Sequence, residues 1–286
     1  MITSAEVDLR KKMKRVGQRV IKMFDKVQGY EVPDNEGGIQ VNKSYLYLIS
    51  AFQMMQMSDE LETIIGEELP PDTVNPFVAS AFNLGTTQAI ANLANQTALP
   101  YDATQKIMSP AHQARIAIVQ NRVFEQMQNL NADMKANLNR VLTDGMLNGE
   151  NPRDVARRIR DQIGIPEWNS GDNQASYARA QRIARTEMGT AHREAIKAQD
   201  QDANDLGIKT KMIWFSALKP TTRKSHARKH GHLFTRDEIS SFYSRDGNAI
   251  NCFCSQQSVV LDEEGNPDNP EFVNRIKKVG DEFFKD

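Results

Sequence analysis

Histidine and cysteine, the side chains best suited to bind a soft metal ion, are concentrated in one short stretch of this chain. Three of its five histidines and both of its cysteines lie within about 30 residues of each other. These residues are His226, His230, His232, Cys252 and Cys254. Imidazole and thiolate are the ligands that Zn²⁺ prefers, and a structural zinc site needs four of them in tetrahedral geometry. The stretch is therefore a candidate zinc site.

Two interpretations of this stretch remain open. In the first, the two cysteines supply one ligand pair and His226 supplies another with either His230 or His232, because residues about four positions apart share one face of a helical turn. The Cys-x-Cys spacing is tighter than that of most zinc sites. In the second interpretation, the cysteines are small buried hydrophobic residues, and the histidines form hydrogen bonds in a compact, loop-rich module.

Several short motifs lie around this stretch. Their residues are Arg185, Glu187, Trp214, Ser216, Arg223, Ser225, His226, Gly231, Asn251, Cys252 and Cys254. In order and spacing they resemble the motifs of the phage Mu F-like minor head proteins, the head morphogenesis proteins of tailed bacteriophages. The resemblance covers about residues 174 to 260.

Two positions depart from the pattern of that family. Lys219 stands where the family usually has an acidic residue, and Phe253 stands where it usually has an arginine between the cysteines. The tryptophan, arginine, histidine, glycine and cysteine positions are all kept. We therefore expect the framework of the module to be preserved, whereas its polar network is expected to differ.

The resemblance implies a function. It implies a minor head protein that lies inside the capsid of a tailed phage, is associated with the portal vertex and acts in head assembly, with DNA packaging or ejection as further roles. The implied partners are the portal protein, the major capsid or scaffolding protein, and packaged double-stranded DNA. The implied location is the virion, after assembly in the host cytoplasm, with no membrane contact.

Composition is consistent with such a protein. With 39% hydrophobic residues, 26% charged residues and a formal net charge of −1, the chain is typical of soluble globular proteins. It contains no apolar run near the roughly 20 residues that a bilayer-spanning helix needs. The start of the sequence lacks the features of a signal peptide, and two cysteines suit a reducing cytoplasm. The near-zero net charge argues against a dedicated nucleic-acid-binding protein.

Basic residues are nevertheless unevenly distributed. Residues 10–26 combine many lysines and arginines with apolar residues at helical spacing, which predicts a basic amphipathic helix. Such a face is either simply solvated or docks on an acidic partner or on DNA, and both interpretations remain open. The candidate contacts to a nucleic acid or partner, including a second group near His226, are Lys11, Lys12, Arg15, Arg19, Lys224, Arg228 and Lys229.

Catalysis is the weaker hypothesis. His226, Asn251 and the cysteines invite comparison with His-metal nucleases, which need a general base beside a metal ion held partly by oxygen donors. Asp237, Glu238 and Asp246 lie in the same window, but their spacing predicts no such pairing. The chain also lacks phosphate-loop, nucleophile-elbow and zinc-protease motifs. We expect no catalytic residue and no enzyme activity; the alternative is a zinc-stabilised DNA-binding module or a His-metal nuclease.

Periodicity predicts a mainly α fold, with an N-terminal helical bundle of long helices and a small C-terminal α+β module. The predicted helices cover 10–26, about 44–69 with Asn42 or Ser44 as N-cap, 76–98, 110–147, 152–163, 174–206 and 272–283. The predicted strands cover 209–215 and 258–261. The predicted domains are a helical domain at 1–170 that contacts the portal or capsid, the Mu F-like module at 171–261, and a tail helix at 262–286.

The helix predicted at 110–147 is the longest. Ser109 and Pro110 are suited to its N-cap and first position. Its apolar residues alternate gaps of three and four, which predicts the seam of a bundle or coiled coil. These residues are Ile116, Val119, Val123, Met127, Leu130, Met134, Leu138 and Val141.

Overall fold

The computed structural model describes residues 2–31, 45–97, 102–168 and 175–284. Its helices are α1 (Ile2–Phe24), α2 (Ala51–Glu68), α3 (Asn75–Ala94), α4 (Ala103–Met108), α5 (Pro110–Leu147), α6 (Pro152–Ile163), α7 (Ser176–Asp205), α8 (Lys224–Ala227), α9 (Arg236–Tyr243) and α10 (Pro270–Glu282). Its strands are β1 (Gly29–Glu31), β2 (Tyr45–Tyr47), β3 (Thr210–Phe215), β4 (Leu233–Phe234) and β5 (Ser255–Val260). The predicted class, mainly α with a small C-terminal α+β module, is confirmed.

The chain divides into two compact units, and α5 and α7 contribute residues to both. The helical unit comprises Ile2–Asn75 and Arg122–Ala184, and the sheet unit comprises Pro76–Asn121 and Arg185–Asp286. The predicted domain ranges 1–170, 171–261 and 262–286 stay a prediction. The predicted boundary near residue 170 lies outside the described residues.

The basic amphipathic helix predicted at the start of the chain is α1. Its apolar face is buried, with Met13, Val16 and Val20 fully inaccessible to solvent. Its cationic face lies against the end of α2: Arg15 Nε is 2.5 Å from a carboxylate oxygen of Glu68, and Arg19 pairs with both Glu67 and Glu68. Exposed pairs of this kind each contribute little, under about 1 kcal/mol. They do, however, neutralise much of the basic face within the helical unit.

The long helix α5 has the predicted bounds. The Ser109 hydroxyl accepts a hydrogen bond from the backbone N–H of His112 at 3.3 Å, as expected of an N-cap. All eight predicted seam residues are buried, from Ile116 to Val141. Although α5 has 38 residues, none of the described helices combines the length and the apolar composition needed to cross a bilayer.

The predicted start of the second helix was wrong. Residues Tyr45–Tyr47 form strand β2, which pairs antiparallel with β1. The helix α2 begins only after Ser50, whose side chain accepts a hydrogen bond from the N–H of Gln53 in a capping box. Asn42 and Ser44 lie outside the described residues. On α2 itself, Phe52 and Met55 are exposed at 66% and 67%.

The sheet unit contains an antiparallel sheet of order β4-β3-β5. The strand predicted at 258–261 begins earlier, at Ser255, and pairs with β3 over its whole length. The short strand β4 and the helix α9 were not predicted, since a two-residue strand carries no period and α9 has only eight residues. Together β3, α8, α9 and the loop before β5 position the candidate site.

Candidate metal centre

Three of the predicted ligands converge in the sheet unit. His226 lies in the single turn α8, and Cys252 and Cys254 lie in the loop that leads into β5. The His226 Nδ1 atom is 3.4 Å from Cys252 Sγ and 3.6 Å from Cys254 Sγ. All three side chains are buried, and their ligand atoms lie within 4.8 Å of one another. Together these side chains form a group, the metal group, that could hold a metal ion.

The spacing of this group fits zinc. With Zn–N near 2.0–2.1 Å and Zn–S near 2.3 Å at tetrahedral angles, a nitrogen and a sulfur ligand stand about 3.5 Å apart. The two observed N–S distances, 3.4 and 3.6 Å, lie on either side of that value. Two sulfurs and one imidazole are also the donor types that zinc prefers over magnesium or calcium.

Asn248 orients His226 for this role. Its side-chain Nδ2 donates to the carbonyl of Phe242 at 2.9 Å, so its Oδ1 faces His226 Nε2 at 3.3 Å. The imidazole then carries its proton on Nε2, and the Nδ1 lone pair points at the two sulfurs. A polar group that fixes the tautomer in this way is the usual second partner of a metal-binding histidine.

The two thiols titrate as a pair. A hydrogen bond from the Cys254 thiol, with a further one from the Tyr243 hydroxyl, lowers the pKa of Cys252. The same bond, together with burial, raises the pKa of Cys254 above its ordinary value. Cys252 is thus the thiolate and Cys254 the proton donor in the metal-free pair. A bound zinc ion would take both sulfurs as thiolates.

The structure does not bring His230 and His232 into this group. Helix α8 ends at Ala227 and the following turn is closed by Gly231, so the four-residue spacing does not place these rings on a common face. His230 Nδ1 instead accepts the backbone N–H of Ser216 at 3.0 Å, and burial lowers the pKa of His230. His232 is exposed. In the described part of the chain no further histidine, cysteine or carboxylate joins the group.

Trp214 forms the core behind the metal group. Its side chain is fully buried and stacks on Tyr243, with ring centroids 5.2 Å apart and an interplanar angle of 16°. Phe242 and His226 meet the indole edge-on at 5.2 and 6.2 Å. Aromatic pairs in these geometries add to the stability that burial gives.

Arg223 holds the turn that carries Asn248. Its guanidinium donates to the carbonyls of Gly247, Asn248 and Ile250 at 2.9, 3.0 and 2.8 Å. All three acceptors are neutral, so these bonds fix the turn without cancelling the positive charge. Arg223 therefore supports the orientation of His226 through Asn248.

Asn251 and the Arg-Thr-Glu motif meet next to the cysteines. Asn251 has φ +52°, a left-handed conformation that asparagine tolerates better than most residues. Its backbone N–H donates to Thr186 Oγ1 at 3.1 Å, which attaches the cysteine loop to α7. Of the flanking motif residues, Glu187 is buried and Arg185 is half-buried.

The remaining motif residues have different surroundings. Ser216 lies beside the metal group, with its Oγ 3.6 Å from Cys254 Sγ. Gly231 has φ +74°, and a Cβ there would lie 2.3 Å from Lys277 Cα of α10. The tail helix therefore packs on this turn, which only glycine allows. Ser225 is exposed on α8.

A pocket of about 280 Å³ opens beside the metal group, and His226 and both cysteines form part of its wall. Among the described residues that line it, none is acidic. The other side chains that line it include Arg185, Lys219, Thr221, Thr222, Arg223 and Phe253. The metal group thus adjoins a cationic pocket.

The predicted basic contacts are in different environments. Lys12 lies 3.7 Å from Asp8, and Arg15 and Arg19 bind the carboxylates of α2, whereas Lys11 is exposed. In the sheet unit, the Lys229 ammonium lies 4.6 Å from the ring centroids of both Phe234 and Phe242. Lys224 and Arg228 are exposed.

Sequence reasoning missed two residues that shape the site, Asn248 and Tyr243. The Tyr243 hydroxyl is 3.5 Å from Cys252 Sγ, and the Arg193 guanidinium lies 4.2 Å from the Tyr243 ring centroid. The dipeptide Gly247-Asn248 is a recognisable turn signal, but its contact with His226 depends on tertiary packing. Nothing in the sequence pattern marks Tyr243.

Comparison with known proteins finds one family and two relatives that this chain resembles. The model of the family described as "Phage Mu protein F like protein" matches residues 136–257. The chain is 24% identical over 177 residues to the NAD(+)–arginine ADP-ribosyltransferase EFV of Enterococcus faecalis, a match that covers 58% of this chain and 34% of that protein. It is 22% identical over 270 residues to an uncharacterized protein of Haemophilus influenzae, covering 94% of this chain and 56% of the relative.

The chain therefore spans about a third of one relative and about half of the other. No solved structure is significantly similar to it. The family match contains the metal group, the Trp214 core and the turn that Arg223 holds, so it covers the part of the structure to which the sequence motifs pointed. Residues 136–257 of this chain match the model of the phage Mu protein F-like family.

Proposed function

We propose that the chain is a minor head protein of a tailed bacteriophage, which lies at the portal vertex inside the capsid and acts in head assembly. The observation that supports this function is the family match over residues 136–257. Packaging or ejection of DNA would be later steps in which a protein at the vertex takes part. The Enterococcus relative is named for ADP-ribosyl transfer, and this chain spans 34% of that protein.

The proposed portal contact lies in the helical unit. At the start of α2, Leu48, Phe52 and Met55 are exposed at 54%, 66% and 67%. Phe52 and Met55 lie three residues apart on one side of α2, and Leu48 lies just before its N-cap Ser50, so the three form an exposed apolar surface of the kind that a partner covers. Exposed aromatic and methionine residues are typical anchors of protein interfaces.

Co-expression of the full chain with the portal protein of the same phage tests this proposal. The expected result is a complex that co-elutes in size-exclusion chromatography and has the mass of a portal ring with bound chain. Phe52→Ser should weaken the complex by at least about tenfold, since interface anchors carry much of the binding energy. Leu147→Ser, which changes an equally exposed residue at the end of α5, is the control.

Absence of any complex with the unchanged chain would contradict the portal association. A complex that survives Phe52→Ser unchanged would contradict only the assignment of the surface.

We propose a structural role for the metal group, in which a zinc ion held by His226, Cys252 and Cys254 stabilises the sheet unit. The match between the observed N–S distances and tetrahedral zinc geometry supports this role. Zinc supplied during expression should therefore be recovered at about one equivalent per chain, and chelation should lower the melting temperature. His226→Gln should lose the metal, whereas His232→Gln should keep it. Metal-free protein whose melting is indifferent to chelator would contradict the proposal.

We propose that the chain has no enzyme activity. A His-metal nuclease holds Mg²⁺ with oxygen donors, whereas the metal group in the described residues consists of two sulfurs and one imidazole. The variant His226→Asn distinguishes a structural role of the metal group from a nuclease activity. A well-folded, normally incorporated His226→Asn protein that has lost a metal-dependent DNA cleavage present in the unchanged chain would establish the nuclease instead.

A further inference from the structure

We propose that the pocket beside the metal group binds a phosphate group, which takes the coordination position that the protein leaves open on the zinc ion. The inference rests on the zinc site proposed above and adds a ligand to it. Neither the family match nor the names of the relatives assign such a ligand. Three properties of the described residues support it: the number of metal ligands, the charge of the pocket and its size.

In the described part of the chain, the metal group has fewer protein ligands than a structural zinc site normally has. Structural zinc sites normally use four protein side chains, whereas sites with three protein ligands keep one position for water or an exchangeable ligand. In the described part of the chain the metal group contains three such side chains, His226, Cys252 and Cys254. All three line the same pocket. A ligand that enters this pocket therefore meets the metal directly.

The charge of the pocket selects an anion. The Lys219 ammonium lies over the Phe253 ring at 5.2 Å and forms no ion pair with a described residue. Arg223 uses carbonyl oxygens as acceptors, which leave its charge uncompensated. Two thiolates would neutralise Zn²⁺, so these cations decide the sign of the local potential. Lysine and arginine beside a metal ion are the usual partners of a phosphate group.

The size of the pocket limits the ligand. Its volume of about 280 Å³ lies below the roughly 300–1,000 Å³ of sites that enclose drug-sized ligands. Phosphate with a short attached group fits that space, whereas a complete dinucleotide does not. The hydroxyls of Thr221 and Thr222 also line the pocket and offer neutral donors. Inorganic phosphate and the terminal phosphate of a DNA strand both present this chemistry.

Cobalt substitution tests the proposal on the full chain. Co²⁺ bound by two thiolates and one imidazole absorbs visible light, and its spectrum reports a change of the fourth ligand. Titration with inorganic phosphate at constant ionic strength should shift this spectrum in a saturable way. Lys219→Gln should weaken phosphate binding about tenfold, as expected for loss of one charge-assisted contact. Lys278→Gln, which removes an exposed lysine on α10, should bind like the unchanged chain.

A second titration distinguishes the sources of phosphate. An oligodeoxynucleotide with a 5′-phosphate, compared with the same strand without it, shows whether a DNA end is a ligand. Free phosphate as the source predicts that the two strands behave alike.

These experiments distinguish failure of the metal site from failure of the phosphate inference alone. If Co²⁺ or Zn²⁺ is not taken up, the metal site is wrong and the phosphate inference fails with it. If one equivalent of metal binds but phosphate leaves the spectrum unchanged, the metal site stands and the phosphate inference alone is overturned. Equal phosphate affinity of Lys219→Gln and the unchanged chain would likewise overturn it.

Discussion

The ammonium group of Lys219 lies 5.2 Å from the centroid of the Phe253 ring. These are the two positions at which the chain departs from the motif pattern that it otherwise shares with the phage Mu F-like proteins. An acid and an arginine at such positions could pair, and here a cation and an aromatic ring meet instead. The two departures are therefore linked in space: a cation–π contact occupies the place available for an ion pair.

A double-mutant cycle measures this contact. Lys219→Met and Phe253→Leu each remove one partner, and the free energy of unfolding is compared for the two single variants and the double variant. Because an exposed cation–π contact contributes about 0.5–1 kcal/mol, the double variant should lose less stability than the two single variants combined, by about that amount. Strictly additive losses in urea unfolding would show that the two side chains are independent.

Replacing Asn248 should weaken metal binding while the ligands stay in place. In Asn248→Ala, His226 loses the acceptor that fixes its tautomer, and loss of such a partner typically lowers metal affinity 10–100-fold. Competition with a chromophoric chelator measures the zinc affinity. Asn266→Ala, in an exposed turn, is the matched control and should bind zinc like the unchanged chain. An unaltered affinity in Asn248→Ala would mean that the ring is oriented by other contacts.

Alanine substitutions at two glycines distinguish the effect of steric overlap on stability from the effect of backbone strain. Gly231 and Gly265 both have positive φ, +74° and +86°, so alanine is strained at either site. A Cβ at Gly231 would lie 2.3 Å from Lys277 Cα, whereas a Cβ at Gly265 meets nothing within 4 Å. Gly231→Ala should therefore lower the free energy of unfolding clearly more than Gly265→Ala, as urea unfolding would show. Similar losses would imply that α10 does not pack on the turn.

Stability should fall in mild acid, partly through His112. This residue is 1% exposed, and its Nε2 is 2.7 Å from Asn83 Oδ1. Burial, helped by Arg115 and Lys106, lowers the pKa of His112 below its ordinary value of 6.5. A histidine with a lowered pKa in the folded state contributes stability that is present above the unfolded pKa and is lost as pH falls through the folded pKa.

Urea unfolding at about pH 7.5 and about pH 5.5 measures this effect. The unchanged chain should lose more stability between the two values than His112→Gln, which cannot take up the proton. The two proteins are otherwise identical, so the difference between the two pH dependences belongs to His112. An identical pH dependence would show that His112 does not contribute.

Long periodic segments were predictable from the sequence alone. Helix α5 has the bounds that Pro110 and the turn after Leu147 indicate, because its seam repeats over 38 residues and each buried position supports the same period. The shorter elements were not predictable in this way. The start of α2 was placed too early, since only the pairing of Tyr45 with Glu31 shows that this segment is a strand.

The sequence by itself determined the ligand types and the motif framework, because these depend on residue identity and spacing. Tertiary structure decided which ligands meet. His230 and His232 lie as close to His226 in sequence as a zinc pair requires, but the end of α8 and the left-handed Gly231 direct them elsewhere. Asn248 and Tyr243 reach the site across turns that carry no periodic signal. The position of a side chain around a loop depends on packing against distant residues, which spacing along the chain does not record.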